Sequence, residues 1–420
     1  MAAPASSWIF LAFCVIGFGW TVTAVVRADR LGWGNMFWFL SGWLTSELAL
    51  FHALGSALVA LAFAAVTDAL GATPGRLGLG LMAISWAGLA LAQWRARSTG
   101  HFLEQALRSG LGDDYQAQIP AVRRAVLRDT VPARDLLLPF AVRDPRVERI
   151  RDLRYADGHA RHVLDIYRPR GGCARAPVLL QIHGGGWVMG NKHEQALPLI
   201  HHLAARGWVV VTPNYRLSPR ARFPDPLVDC KRALAWVRRN ISAQGGDPAF
   251  VAVTGGSAGG HLAALLALTA NDPRLQPGFE AADTTVAAAV PFYGVYDFTD
   301  RHALKGSGTG MVEWLEKTVM PCPPAADHAL WDLASPIMQV RRDAPPFFIL
   351  HGTHDSLASA AEARLFADRL RSVSRNPVVY AELPGAQHAW DIFRSVRAME
   401  SVHAVAHFLE WARATTDRGR

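Results

Sequence analysis

Residues 251–265 read V-A-V-T-G-G-S-A-G-G-H-L-A-A-L, and this stretch narrows the possible folds of the chain more than any other. The β-branched run Val251 to Thr254 predicts a strand, and the apolar segment opening at Ala258 predicts a helix, with only Gly255, Gly256 and Ser257 between them. So tight a turn needs positive φ at one position and no Cβ where the helix passes close to the strand, which explains the glycines. Ser257 is thereby lifted off the end of a strand, and the first N–H groups of the helix point to where negative charge would be held. In a chain with 36 glycines, Gly-x-Ser-x-Gly is equally the sequence of a glycine-rich turn, so its meaning depends on what surrounds it.

The surroundings alternate. Val147 to Tyr155 and Val163 to Tyr167 predict a hairpin around Asp157-Gly158. Val178 to Ile182, Trp208 to Thr212, Phe250 to Thr254, Thr285 to Phe292, Pro346 to Leu350 and Val378 to Glu382 predict short apolar strands. Helical patterns fall over Glu194 to Arg206, Pro224 to Asn240, Ala258 to Thr269, Ser359 to Ser372 and Ser395 to Ala412. Continuous apolar strands separated by helices imply a mostly parallel sheet covered on both faces, with ligands bound beyond the carboxyl ends of the strands. The fold class is α/β.

The first 94 residues differ in kind. Their charged side chains are Arg27, Asp29, Arg30, Glu47, Asp68 and Arg76, which concentrates there the apolar excess of a chain that is 50% hydrophobic. Trp8 to Val26, Leu48 to Val66 and Leu77 to Trp94 are each long enough to cross a hydrocarbon layer of about 30 Å at about 1.5 Å per residue. The leader M-A-A-P-A-S-S has no basic side chain and no small-x-small site follows the first run, which favours an anchor over a cleaved signal. Asn35 to Glu47 reads as an interfacial segment or an extension of the second span, with Glu47 at the interface and His52 in a helix–helix contact. Gly78, Gly80, Ala83 and Gly88 supply small residues for close helix packing in the third span. The expected organisation is a transmembrane region over 1–97, an amphipathic linker or cap over 98–146 and a catalytic domain over 147–416. Within the middle segment, Phe102 to Leu111 and Leu136 to Phe140 suit the bilayer surface or a cover for the active site.

The net charge of +8 comes without a lysine-rich run, the four lysines being Lys192, Lys231, Lys305 and Lys317, so nucleic-acid binding is not expected. The charge reads as solvated surface, with a bias toward anionic lipid. Cys14, Cys173, Cys230 and Cys322 stand far apart in no zinc or redox spacing. No His/Cys/Asp/Glu group has metal-ligand spacing, and neither a metal nor a cofactor is expected.

A serine nucleophile needs a base, usually a neutral imidazole held by a carboxylate. In the order Ser…Asp…His, the acid follows a late strand and the histidine follows the last one. Asp355 ends F-F-I-L-H-G-T-H-D, and His388 lies in L-P-G-A-Q-H just past the final strand. Glu382 is the substitute acid. His261 reads as a packing residue, His201 and His202 as surface residues, and His351 and His354 as shapers of the acid loop. His183-Gly184-Gly185-Gly186-Trp187 follows another strand and leaves backbone N–H groups free to face a ligand.

H-G-G-G-W at His183, N-Y-R-L-S-P at Asn214, G-G-S-A-G-G-H at Gly255, H-G-T-H-D at His351 and the late His388 together resemble the α/β-hydrolase superfamily, and within it the carboxylesterases similar to hormone-sensitive lipase. The resemblance covers Val147 to the C-terminus. It implies an α/β-hydrolase fold, Ser257 as nucleophile, Asp355 and His388 as acid and base, and an oxyanion hole of the Gly185, Gly186 and Ala258 N–H groups. Many members carry an acidic residue where this chain has Gly256, which is more similar to feruloyl-esterase-type and arylformamidase-type relatives. The N-terminal part resembles membrane-anchored esterases of actinobacterial type.

The expected function is that of a membrane-anchored serine carboxylesterase or lipase acting on lipophilic esters, with membrane lipids around its anchor. An amidase, arylformamidase or deacetylase could use the same triad, and a non-catalytic membrane receptor is the rival of another class. Arg27 and Arg30 after the first span, with Arg95 and Arg97 after the third, put the catalytic domain in the cytoplasm by the positive-inside rule.

Overall fold

The computed structural model describes residues 3–27, 34–127, 131–304 and 310–418. Arg30, Arg128 and Lys305 lie outside the described residues.

Helices α1 (Ala5–Val25), α2 (Asn35–Glu47), α3 (Ala49–Val66) and α4 (Thr73–Leu111) come first, followed by the short α5 (Ala121–Arg124) and α6 (Ala133–Leu137). Three of them, α1, α3 and α4, are long and apolar enough to cross a membrane. Helices α1 and α4 run parallel, with α3 antiparallel between their ends. Phe10, Phe63, Ala69 and Met82 meet at one end of this bundle, and Val25, Ala49, Leu89 and Ala92 at the other. At the second end Arg95 Nη1 donates to the Val25 carbonyl at 2.9 Å. Close packing falls on two of the four expected small residues. A Cβ on Gly78 would lie 3.0 Å from the Phe10 ring and one on Gly88 2.5 Å from Thr21, whereas Gly80 has no neighbour and Ala83 is exposed.

Helix α4 does not stop at Trp94. Its 39 residues run on to Leu111, into the segment that the sequence reads as linker or cap. Phe102 to Leu111 is therefore part of this helix, and its Leu103 and Leu107 are buried against the α/β part. Burial of this kind contributes about 1.5–3 kcal/mol per leucine. A Cβ on Gly110 would lie 2.8 Å from Val379 Cγ2, so the helix rests on the last strand.

Next come β1 (Val147–Arg154), β2 (Val163–Pro169), β3 (Ala176–Ile182), α7 (Leu197–Ala204), β4 (Val209–Pro213), α8 (Asp225–Asn240), β5 (Gly246–Gly256) and α9 (Ala258–Leu268). The remainder is β6 (Ala288–Phe292), α10 (Met311–Thr318), α11 (His328–Leu333), β7 (Phe347–Gly352), α12 (Ala360–Val373), β8 (Val378–Leu383) and α13 (Val396–Arg418). Among the described residues, eight strands form one sheet in the order β1-β2-β4-β3-β5-β6-β7-β8. The first two pairings are antiparallel and the rest parallel. Both faces are covered, so the central strands are apolar throughout rather than alternating. Val178, Leu180 and Ile182 of β3 pack with residues of α8 and α9, while Leu179 joins α7, α13 and the distal half of α4.

His201 and His202 correct the sequence expectation of surface residues: both are buried on α7. The Asp144 N–H donates to His201 Nδ1 at 3.3 Å, and the His202 ring meets His403 of α13. This helix is sandwiched between the sheet and α13, and its basic-looking face has no solvent to reach. Burial pushes His201 down to about 4.

Glu47 is not wetted. Its side chain is fully buried against the α/β part, paired with Arg397 of α13 and accepting from Ser395 Oγ at 2.6 Å. His52 does make the expected helix–helix contact, edge-on to Trp20.

Candidate active site

Strand β5 and helix α9 meet at Ser257, which has φ 58° and ψ −122°. This left-handed φ is costly for a residue with a Cβ, and two bonds hold it: Ser257 N–H donates to the Phe292 carbonyl, and the Ser257 carbonyl accepts from His261 N–H, both at 3.0 Å. Gly255 and Gly259 are obligatory beside it. A Cβ on Gly259 would lie 2.1 Å from the Ile182 carbonyl oxygen, and one on Gly255 2.4 Å from that of Gly259.

Strand β7 delivers the acid loop and strand β8 the histidine loop. His388 Nδ1 and Asp355 Oδ2 are 2.7 Å apart. Asp355 Oδ1 accepts from the N–H groups of Leu357 and Ala358, each at 2.8 Å. His351 Nε2 lies 3.3 Å from Asp355 Oδ2 and 3.1 Å from the Ala358 carbonyl. Burial by itself would raise the Asp355 carboxyl; the charge of His388 and the bonds from His351 and His388 outweigh it and hold the group below the usual carboxylate range. An ionised carboxylate on Nδ1 leaves Nε2 of His388 as the proton acceptor. The alternative acid, Glu382, is engaged elsewhere, bonded to Arg364 Nε at 2.9 Å and to the Tyr380 hydroxyl at 2.6 Å.

The two loops are tied together. His354 N–H donates to the Ala386 carbonyl at 3.0 Å, and Gln387 Oε1 accepts from Ser356 N–H at 2.8 Å and His388 N–H at 2.9 Å. His351 and His354 thus shape the acid loop. His261 packs as expected: its Nδ1 accepts from Trp187 Nε1 at 3.2 Å, which leaves Nε2 to donate to the Ala334 carbonyl at 2.8 Å.

The His183–Trp187 loop lies beside the serine. Gly185 and Gly186 have φ of 111° and 58° and line the same cavity as Ser257, Asp355 and His388. A Cβ on Gly185 would lie 2.4 Å from the Met189 carbonyl oxygen. Gly184 N–H is taken by Gln195 Oε1 at 2.6 Å. His183 itself faces inward, stacked on Tyr215 with ring centroids 4.3 Å apart, and burial pushes it down to about 3. Ala258 is the first residue of α9, where an N–H has no partner four residues back. The cavity measures about 1390 Å³, above the roughly 300–1,000 Å³ of common small-molecule pockets.

Residues that the sequence did not single out complete the surroundings. Tyr293 (φ 37°) lies against His388 with ring centroids 4.5 Å apart, and its hydroxyl donates to buried Asp391, whose carboxyl is raised by burial. A Cβ on Gly256 would fall 2.5 Å from the Tyr293 hydroxyl and 2.9 Å from its ring. Tyr293 therefore occupies the space that an acidic side chain at 256 would need. From the N-terminal region, Phe39 of α2 meets the His388 ring edge-on at 5.8 Å, and Ser356 Oγ donates to the Asn35 carbonyl at 3.3 Å.

Comparison with known proteins agrees with this architecture. The family model BD-FAE matches residues 164–370. The chain is 43% identical to the probable carboxylic ester hydrolase LipM of Mycobacterium tuberculosis over 414 residues, 95% of this chain and 92% of that protein. It is 43% identical to esterase LipQ of the same organism over 329 residues, 75% of each. Among solved structures, esterase B of Lactobacillus rhamnosis superposes with a TM-score of 0.57 at 21% identity, covering 77% of this chain and 98% of that one. An esterase of Pyrobaculum calidifontis gives 0.50 at 27% identity, covering 63% and 85%.

Proposed function

The chain belongs to the esterases of the α/β-hydrolase superfamily and is a carboxylic ester hydrolase, and from that premise we propose a membrane-anchored serine esterase working through Ser257, His388 and Asp355 on lipophilic esters. One observation carries the assignment of residues: Ser257 on its strained turn and the His388–Asp355 pair line a single cavity with Gly185 and Gly186.

In the proposed reaction His388 Nε2 takes the Ser257 hydroxyl proton as Oγ attacks the ester carbonyl. The N–H groups of Gly185, Gly186 and Ala258 receive the oxyanion. Collapse of the tetrahedral intermediate breaks the ester C–O bond, and His388 returns the proton to the leaving alcohol. Water then attacks the acyl-enzyme with His388 again as base, releasing the carboxylic acid and restoring Ser257. Asp355 remains ionised throughout and holds the imidazole by Nδ1.

The anchor reading rests on α1, α3 and α4, which satisfy length and hydropathy for spanning. The domain organisation we propose keeps the anchor at 1–97 and the hydrolase at 147–416, with the intervening segment as a linker packed on the hydrolase. Labelling of the full chain by a fluorophosphonate, mapped by peptide, followed by a panel of p-nitrophenyl esters against the matching anilides, tests the reading. Adducts at Ser257 with ester turnover are expected; an adduct elsewhere, or anilide turnover in preference to ester, overturns it.

A further inference from the structure

Helix α2 occupies an unusual position for a piece of an anchor region. At 13 residues it extends about 20 Å, short of a bilayer's hydrocarbon thickness of about 30 Å. Its C-terminal end is fixed to the hydrolase by the buried Glu47–Arg397 pair, and Arg397 Nη2 also donates to the Pro384 carbonyl, at 3.1 Å, in the loop leading to His388. Its N-terminal end is fixed to the acid loop through Asn35 and Ser356. Held at both ends, α2 turns Met36, Phe39 and Leu40 onto the wall of the cavity that Trp314 of α10 also lines.

Met36 and Leu40, which line the cavity, are 55% and 45% exposed, and Phe37 on the same helix, which does not line it, is 62% exposed. Through Trp43, α2 meets Phe393, which in turn meets Phe140, itself 68% exposed and followed back along the chain by exposed Leu137 and Leu138. Exposed large apolar residues grouped in this way mark contact with something apolar. The same helix runs directly into α3, a candidate membrane span starting at Ala49. The helix that lines the cavity at Met36 and Leu40 is thus joined in the chain to a segment that the bilayer reading assigns to lipid, and it carries exposed apolar side chains of its own.

We infer that α2 is the binding wall for the hydrocarbon chain of the substrate, with Met36, Phe39 and Leu40 selecting long-chain esters that reach Ser257 along this helix from the lipid phase. The inference rests on the esterase reading above and adds to it the substrate class and the residues that set it. Each methylene transferred from water onto such a wall is worth about fourfold in kcat/KM until the wall is covered.

The test uses the full chain in nanodiscs of phosphatidylcholine and phosphatidylglycerol. A phosphonate carrying a long alkyl chain with a terminal diazirine is attached, photolysed, and the cross-links mapped by peptide. Cross-links within 34–47 are expected. An adduct on Ser257 with all cross-links elsewhere overturns the wall but leaves the nucleophile intact, and no adduct on Ser257 overturns both. In parallel, Met36→Gln combined with Leu40→Gln is expected to lower the ratio of kcat/KM for p-nitrophenyl decanoate over butanoate at least tenfold. A ratio within twofold of wild type overturns the inference. Met36→Trp, which narrows the rim without adding polarity, is expected to lower the same ratio and provides the measurement if the double variant fails to fold.

Discussion

Glu47 and Arg397 stand 350 residues apart in the chain and form a fully buried ion pair between the second N-terminal helix and the start of the last one. Replacing both ions by apolar residues can be nearly neutral, but removing one leaves the other charged and unpaired in the interior, at a cost of about 3–5 kcal/mol. Glu47→Gln is therefore expected to lower the unfolding free energy by that amount in detergent solution, and Glu47→Leu with Arg397→Met to recover most of it. Denaturant titration measures both. A loss below about 1 kcal/mol for the single change would mean that the pair does not hold the two regions together.

Ser257→Ala should abolish ester hydrolysis and fluorophosphonate labelling while the fold survives. The hydroxyl faces the cavity, and alanine meets the same φ penalty as serine at 58°, so stability should move by less than about 1 kcal/mol. Undiminished labelling would remove Ser257 from the reaction.

Asp355→Asn is expected to cost at least about a thousandfold in kcat, because asparagine presents the wrong partner to His388 Nδ1. Its effect on stability depends on pH with a fixed sign. The folded carboxyl lies below its ordinary value, so the stability it supplies is fully present above about pH 4 and is lost as the pH falls through the lower folded value. The gap in unfolding free energy between wild type and Asp355→Asn should be widest above that point and close on acidification. A gap that held constant into strong acid would contradict the pairing.

Gly256→Asp restores the acidic residue common among hormone-sensitive-lipase relatives, and here it should do harm. Its Cβ would meet the buried Tyr293 ring at 2.9 Å, and that ring is held by Asp391 and packed on His388. Overpacking of this kind costs about 1–3 kcal/mol and would displace the imidazole. Activity is expected to fall, and Tyr293→Ala in the same chain should recover stability but not the full rate. A Gly256→Asp protein as active as wild type would show that the neighbourhood is looser than its geometry.

A fusion after Arg420 tests the side of the membrane. Parallel α1 and α4 bring Arg27 and Arg95 to the hydrolase end of the bundle, whereas Arg76 lies at the start of α4 at the opposite end. The positive-inside rule then gives a fluorescent green-fluorescent-protein fusion and an inactive alkaline phosphatase fusion. The reverse result would put the catalytic domain outside.

Much of the candidate site's layout was legible because it is written in short segments. A strand, two glycines, a serine and a helix must fold into a sharp turn wherever they occur, and loops at the carboxyl ends of adjacent parallel strands must converge. Asp355 and His388 each follow a late strand, and the sheet places β7 beside β8, but only the structure brings the two side chains to 2.7 Å and engages Glu382, the other candidate acid, with Arg364. Hydropathy likewise determined the three long apolar helices, since hydrocarbon thickness demands a length that local composition displays. Only the tertiary structure decided what those helices do to the site. Nothing in Asn35 to Glu47 shows that Phe39 will meet His388, or that Glu47 will be buried rather than wetted, because both depend on how the bundle docks against a sheet formed hundreds of residues later. His201 and His202 became interior residues for the same reason: periodicity describes a helix's own faces, and the elements stacked on those faces decide which of them meets water.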